Sequence, residues 1–108
     1  MKKFKVKVIR EEEYEIEIDE SVWTQEQLKA FSKVMYQAED LQELAGMIAE
    51  MYFNQGEGSW LEGFGIPYVN GEEPHFVHSS IKHVITKDIN INEIESDVYI
   101  EDIDEVIQ

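Results

Sequence analysis

Between residues 3 and 19 apolar side chains occupy every second position in two runs. Phe4, Val6 and Val8 come first, then Tyr14, Ile16 and Ile18, with Lys3, Lys5, Lys7, Glu13, Glu15, Glu17 and Asp19 between them. A period of two places alternate residues on opposite faces of an extended chain, so both runs read as half-buried β-strands. One strand over the whole stretch would run about 55 Å at roughly 3.3 Å per residue, more than a domain of this size is expected to cover. The expectation is therefore a hairpin turning near Arg10 to Glu12, with Val8 facing Tyr14, Val6 facing Ile16 and Phe4 facing Ile18. That register also sets Lys5 and Lys7 opposite Glu17 and Glu15. The proposed turn lacks the Gly, Asn or Asp that tight hairpins favour, which points to a longer or bulged loop.

Helical spacing follows. Thr24 with Gln27 three residues on forms a capping box, and Trp23 is placed to staple onto Leu28, so a helix is expected from about residue 25. Leu28, Phe31, Val34, Met35 and Ala38 make one apolar stripe; Leu41, Leu44, Ala45, Ile48, Met51 and Tyr52 make a second. At 100° per residue the stripes differ in direction by roughly 100°, so one straight helix could not bury both. A break at Glu39–Asp40, with Asp40 and Glu43 as a second N-cap signature, gives two helices, the second ending at Gly56. A glycine-rich stretch bearing Trp60, Phe64 and Tyr68 reads as a loop. Asn70-Gly71 is a type I′ turn signal, with Pro67 and Pro74 limiting any strands there to short edge pieces. Residues 79–85 fit either a short helical turn or a strand. Two further strands are expected near Ile89 to Ile94 and Val98 to Ile103, separated by Glu95-Ser96-Asp97. The fold class is α+β: one domain over residues 1–108, an antiparallel sheet of N-terminal hairpin and C-terminal strands packed on two consecutive helices.

Charge narrows the function classes. The net charge is −15, and five of the nine basic residues lie in the first ten positions. Everything after Arg10 is almost purely anionic, repelling nucleic acid and anionic membrane and attracting basic proteins in a salt-dependent way. There is no Cys, hence no disulfide or thiolate chemistry. No apolar run approaches the roughly 18 residues of a membrane span, and the lysine-studded N-terminus is no signal peptide, so a soluble, cytoplasmic protein is expected.

Sequence chemistry gives little sign of catalysis. His75, His78 and His83 are close in sequence, but positions three apart on a strand point to opposite faces, and no metal site is expected. Asp88, Asn90 and Asn92 open like a calcium loop, but Glu93 stands where the turn glycine belongs and Tyr99 where a bidentate Glu belongs. No phosphate-loop spacing, nucleophile elbow or zinc-protease motif occurs, so neither an enzyme nor a cofactor is expected. Trp60, Phe64 and Tyr68 have two readings: aromatic anchors of an interface, or core closure over a helix end.

The segment KKFKVKVIREEEYEIEIDE at residues 2–20, followed by a helix, and the closing ESDVYIEDIDEV at 95–106 resemble small proteins of phages and bacterial mobile elements, the DpnD/PcfM-like family being nearest in style. The likeness covers the two ends and departs in the middle, where that family has one helix. It implies an accessory protein of such an element and brings no catalytic residues. Small acidic proteins of that origin include antirestriction DNA mimics and anti-CRISPR inhibitors. On this reading Glu11, Glu12, Glu13, Glu15, Glu17, Asp19, Glu101, Asp102, Asp104 and Glu105, together with Trp60, Phe64 and Tyr68, are the candidate partner-binding residues, and the partner is a basic nucleic-acid-binding protein. The rival is a structural module, a homodimer pairing through an exposed strand or the Trp60 loop, with charge serving solubility.

Overall fold

No turn interrupts the N-terminal alternation. In the computed structural model, which describes residues 1–107, β1 is one strand, Lys3–Ile18, and the C-terminal part is also one strand, β3, Ile85–Val106. The two pair antiparallel from Ile18↔Ile89 out to Lys3↔Val106. The expected hairpin is thus replaced by a ribbon between distant parts of the chain, and the two expected C-terminal strands are one. Val8 faces Ile100 and not Tyr14; Lys5 and Lys7 face Asp104 and Asp102 and not glutamates of their own strand. A strand this long is possible because its outer half is not covered by the rest of the chain. The molecule extends 59 Å along its long axis, and its Cα radius of gyration is 18.0 Å, against roughly 13 Å for a compact domain of this length. The ribbon projects beyond the body.

The remaining elements form that body. Helix α1 (Gln25–Val34) starts where Thr24 accepts a hydrogen bond from Gln27 N. Helix α2 (Leu41–Gln55) starts where Asp40 accepts one from Glu43 N. Between them the Ser32 hydroxyl donates to Ala38 O and accepts from Ala38 N, tying the short connection down. As the stripes require, the helices bury Leu28 and Phe31 from the first and Leu44, Ile48 and Tyr52 from the second. α2 lies against β1, where Tyr14 meets Tyr52 edge to face at 5.2 Å.

β2 (Ile66–Val69) lies on the other side of β3 and runs parallel to it, giving the order β1-β3-β2. The sheet is therefore mixed and not wholly antiparallel. A four-residue strand carrying Pro67 has too little pattern to reveal its direction. Asn70 and Gly71 follow with φ of 54° and 81° and turn the chain back to a single bridge between Val69 and Glu72. Residues Ser79–Val84 form a 3₁₀ turn, the helical one of the two readings, and Ile85 already opens β3. Ahead of it the chain passes over Gly58, where φ is +79° and a Cβ would stand 2.5 Å from the carbonyl oxygen of Phe76.

The core lies at the base of the ribbon. Leu28, Leu44, Ile48, Leu61, Ile66, Ile89 and Ile91 are fully buried. Trp23, Phe31 and Phe64 stack beside them, with ring centroids 5.1 to 5.7 Å apart. The Trp23 indole N–H, part-buried, donates to Asp88 Oδ2 at 2.9 Å and so joins the α1 entry to β3.

Candidate functional site: the two faces of the ribbon

Because β1 alternates without interruption, its faces follow from where the core is. Tyr14, Ile16 and Ile18 pack on the core, so Glu12, Arg10, Val8, Val6 and Phe4 share their face. Lys3, Lys5, Lys7, Ile9, Glu11, Glu13, Glu15 and Glu17 look the other way. Residues directly opposite in an antiparallel pair share a face. β3 carries an extra residue twice, Glu101 between Lys7 and Val8 and Ile94 between Glu13 and Tyr14. Each bulge resets its alternation. The body-facing side of β3 is then Ile89, Ile91, Glu93, Ser96, Val98, Ile100, Ile103 and Glu105, and the outer side is Asn90, Asn92, Glu95, Asp97, Tyr99, Asp102, Asp104 and Val106.

On the outer face, charge is sorted along the ribbon. Near the tip, Lys5 and Lys7 stand opposite Asp104 and Asp102, and Lys7 Nζ lies 2.8 Å from Glu101 Oε2. Ile9 and Tyr99 separate this neutralised end from the next stretch. There Glu11 faces Asp97 and Glu13 faces Glu95, with Glu15 and Glu17 continuing towards the body beside Asn92 and Asn90. Six carboxylates, with no base among them, thus form a stripe. Tyr99 donates its hydroxyl to Glu11 at 3.2 Å; burial and the Glu11 charge hold its pKa above the usual tyrosine range. Asn90 and Asn92 both donate to Glu17.

Sequence reasoning named Glu11, Glu13, Glu15 and Glu17 and missed Glu95 and Asp97, which belong to the stripe only through the β1–β3 register. The other candidates are placed elsewhere. Glu12 is on the body face, where Arg10 Nη2 donates to it at 2.9 Å and Tyr14 donates its hydroxyl. The bonds from Arg10 and Tyr14 hold its pKa below the usual carboxylate range. Arg10 in turn lies 4.3 Å from the Phe53 ring centroid and donates to Phe53 O. Asp19 caps the turn after β1, accepting from the Ser21 hydroxyl and backbone N–H, which lower its pKa. Glu101, Asp102 and Asp104 are matched by lysines as described, and Glu105 stands opposite Phe4 on the body face. The aromatic trio divides. Phe64 is a core residue, Tyr68 is half-buried with its hydroxyl 3.4 Å from Glu73, and Trp60 is half-exposed.

The body face of the free ribbon is apolar and open. Phe4, Val6, Val8, Val98, Ile100 and Ile103 are between 47% and 62% exposed. The histidines lie apart from this site: His78 accepts from Ser80 N at the start of the 3₁₀ turn, and His75 and His83 are exposed. Among the described residues no three His, Asp or Glu side chains are gathered as a metal ion would require, and no helix is long and apolar enough to cross a membrane. Comparison with protein families, with curated proteins and with solved structures gives no match.

Proposed function

We propose that this is a non-catalytic acidic binding protein whose ribbon stripe occupies a basic surface of a nucleic-acid-handling protein, in the manner of the DNA-mimicking inhibitors of phages and mobile elements. The observation that carries the reading is the gathering of Glu11, Glu13, Glu15, Glu17, Glu95 and Asp97 on one stretch of the outer face, while the lysines of that face lie at the tip opposite Asp102 and Asp104. From residue 11 to 17 a strand covers about 20 Å at ~3.4 Å per residue. Six charges over that distance give about one per 3.4 Å, the share of one strand in duplex DNA. Neither strand alone reaches that density; the register of β1 on β3 does. The two direct like-charge oppositions disfavour the ribbon locally, and a cationic partner relieves them.

The test is displacement of labelled duplex DNA from a basic DNA-binding enzyme, such as a restriction endonuclease or CRISPR effector, by the full chain at graded salt. The expected outcome is competitive displacement that weakens steeply with salt and is lost in a Glu11→Gln, Glu13→Gln, Glu95→Gln variant. Binding indifferent to salt, to DNA and to these substitutions refutes the reading.

A further inference from the structure

The opposite face of the ribbon has a separate use. We infer that the chain forms a two-fold symmetric dimer in which the free ribbons of two copies stack face to face and antiparallel, through Phe4, Val6, Val8, Val98, Ile100 and Ile103.

At ~150–200 Å² per large side chain, half-exposure of these six leaves on the order of 600 Å² of apolar surface, the upper end of what monomers expose. One such patch against its own copy buries roughly 1,200 Å² in total, the threshold of stable protein interfaces.

Charge fixes the orientation. The patch is bounded towards the body by Arg10 and at the tip by Glu105, both on the same face as the apolar residues. Antiparallel stacking sets the Arg10 of each copy over the Glu105 of the other, whereas parallel stacking opposes like charges. Both Arg10 hydrogen bonds to Glu12 and Phe53 leave from Nη2, and the guanidinium carries further N–H donors on Nη1 and Nε. Two chains of −15 each repel one another, but the carboxylate stripes lie on the outer faces of such a stack. With sheets ~10 Å apart, the stripes stand farther from each other than the ~8 Å Debye length at physiological salt.

Shape agrees. The helices cover the body face only at the base of the ribbon, where α2 ends beside Phe53 and Arg10. A helix layer is about 10–12 Å thick, close to the ~10 Å separation of packed sheets. The second ribbon therefore fits into the step beside α2, its tip abutting the helix end. Edge-to-edge pairing is less well suited, because Lys3, Lys5 and Lys7 alternate along the free end of β1 and the Glu101 and Ile94 bulges interrupt β3.

Sedimentation velocity on the full chain decides the matter. At roughly 100 µM, above the micromolar dissociation constant an interface of this size supports, the expected mass is twice 12.7 kDa. Ile100→Asp should raise the dissociation constant at least ~100-fold with unchanged circular dichroism; Tyr99→Ser, on the outer face, should leave it within a factor of two or so. A chain that sediments at 12.7 kDa overturns the inference, as does a dimer that Ile100→Asp leaves intact. Should that variant lose its fold, charge reversal at the tip decides: Glu105→Arg, set against Arg10 of the other copy, weakens the dimer, and a dimer indifferent to it rejects the arrangement. These substitutions lie outside the carboxylate stripe, so either proposal can fail without the other.

Discussion

Glu13 stands directly opposite Glu95, with Glu11 and Glu15 its nearest neighbours on the same face. Glu13→Lys replaces the cross-strand repulsion by an attraction. At about 5.5 Å in water two unit charges interact by roughly 0.75 kcal/mol, a swing of ~1.5 kcal/mol on reversal. Measured exposed pairs contribute about 0.2–1 kcal/mol, so a net gain of about 1 kcal/mol is expected. For a domain near this size that raises Tm by roughly 4–8 °C. The assay is thermal melting followed by circular dichroism at ~0.01 M and ~1 M salt, where the Debye length falls from ~30 Å to ~3 Å and the gain should disappear. Lower net charge alone would also stabilise, so the reciprocal variant and the double are needed. Glu95→Lys should match the single gain, and Glu13→Lys/Glu95→Lys should forfeit it by restoring a like pair. If the two substitutions simply add, the residues are not opposite one another, and the register, with the stripe built on it, is wrong. The stabilised single variants should also displace DNA less well, since stability and binding draw on the same carboxylates.

Three further outcomes follow from local geometry. Burial and the hydrogen bond to Glu12 push the Tyr14 phenol up to about 12; its folded pKa exceeds the unfolded value of about 10, so its contribution is complete below pH ~10 and is lost as pH rises towards 12. Urea melts at pH 9 and 11 should show a smaller loss in Tyr14→Phe than in the parent. Gly58→Ala forces a Cβ within 2.5 Å of the Phe76 carbonyl at a φ of +79° and should cost about 1–3 kcal/mol, seen as a lowered urea midpoint. Ile48→Ala empties a fully buried position between α2 and the sheet and should cost about 2–5 kcal/mol in the same assay, more than Thr24→Ala at the α1 cap, about 1 kcal/mol.

The helical half of the molecule was readable because its signals are local. Thr24 with Gln27, Asp40 with Glu43 and the glycine at position 56 each act within one turn of chain, and the structure places both helix starts and the second helix end accordingly. The sheet was not, because pairing joins residues with no local trace of one another. The lack of Gly, Asn or Asp near Arg10 fits a continuous strand, which runs uncovered past the end of the helices. Glu95-Ser96-Asp97 read as a break between strands, yet these residues simply continue the alternation, Ser96 donating to Glu12 on one face while Glu95 and Asp97 join the stripe on the other. The carboxylate stripe was therefore half legible: its β1 members lie in an obvious pattern, and its β3 members depend on a register that two bulges shift. Lys5 and Lys7 neutralise Glu101, Asp102 and Asp104 and not the glutamates of their own strand, which is what leaves those glutamates bare.

Lys3 opposite Val106 has a practical consequence. Anything joined ahead of Lys3 or after Val106 emerges side by side at the far tip of the molecule, well away from the helices. A short designed linker between those two positions would close the ribbon into a continuous hairpin, and new chain ends could then be opened in the exposed connection at His75–Phe76, outside any strand or helix. Such a rearranged protein would bring strands now drawn from opposite ends of the sequence next to each other, and should fold faster than the parent because the ribbon would no longer wait on closure of nearly the whole chain.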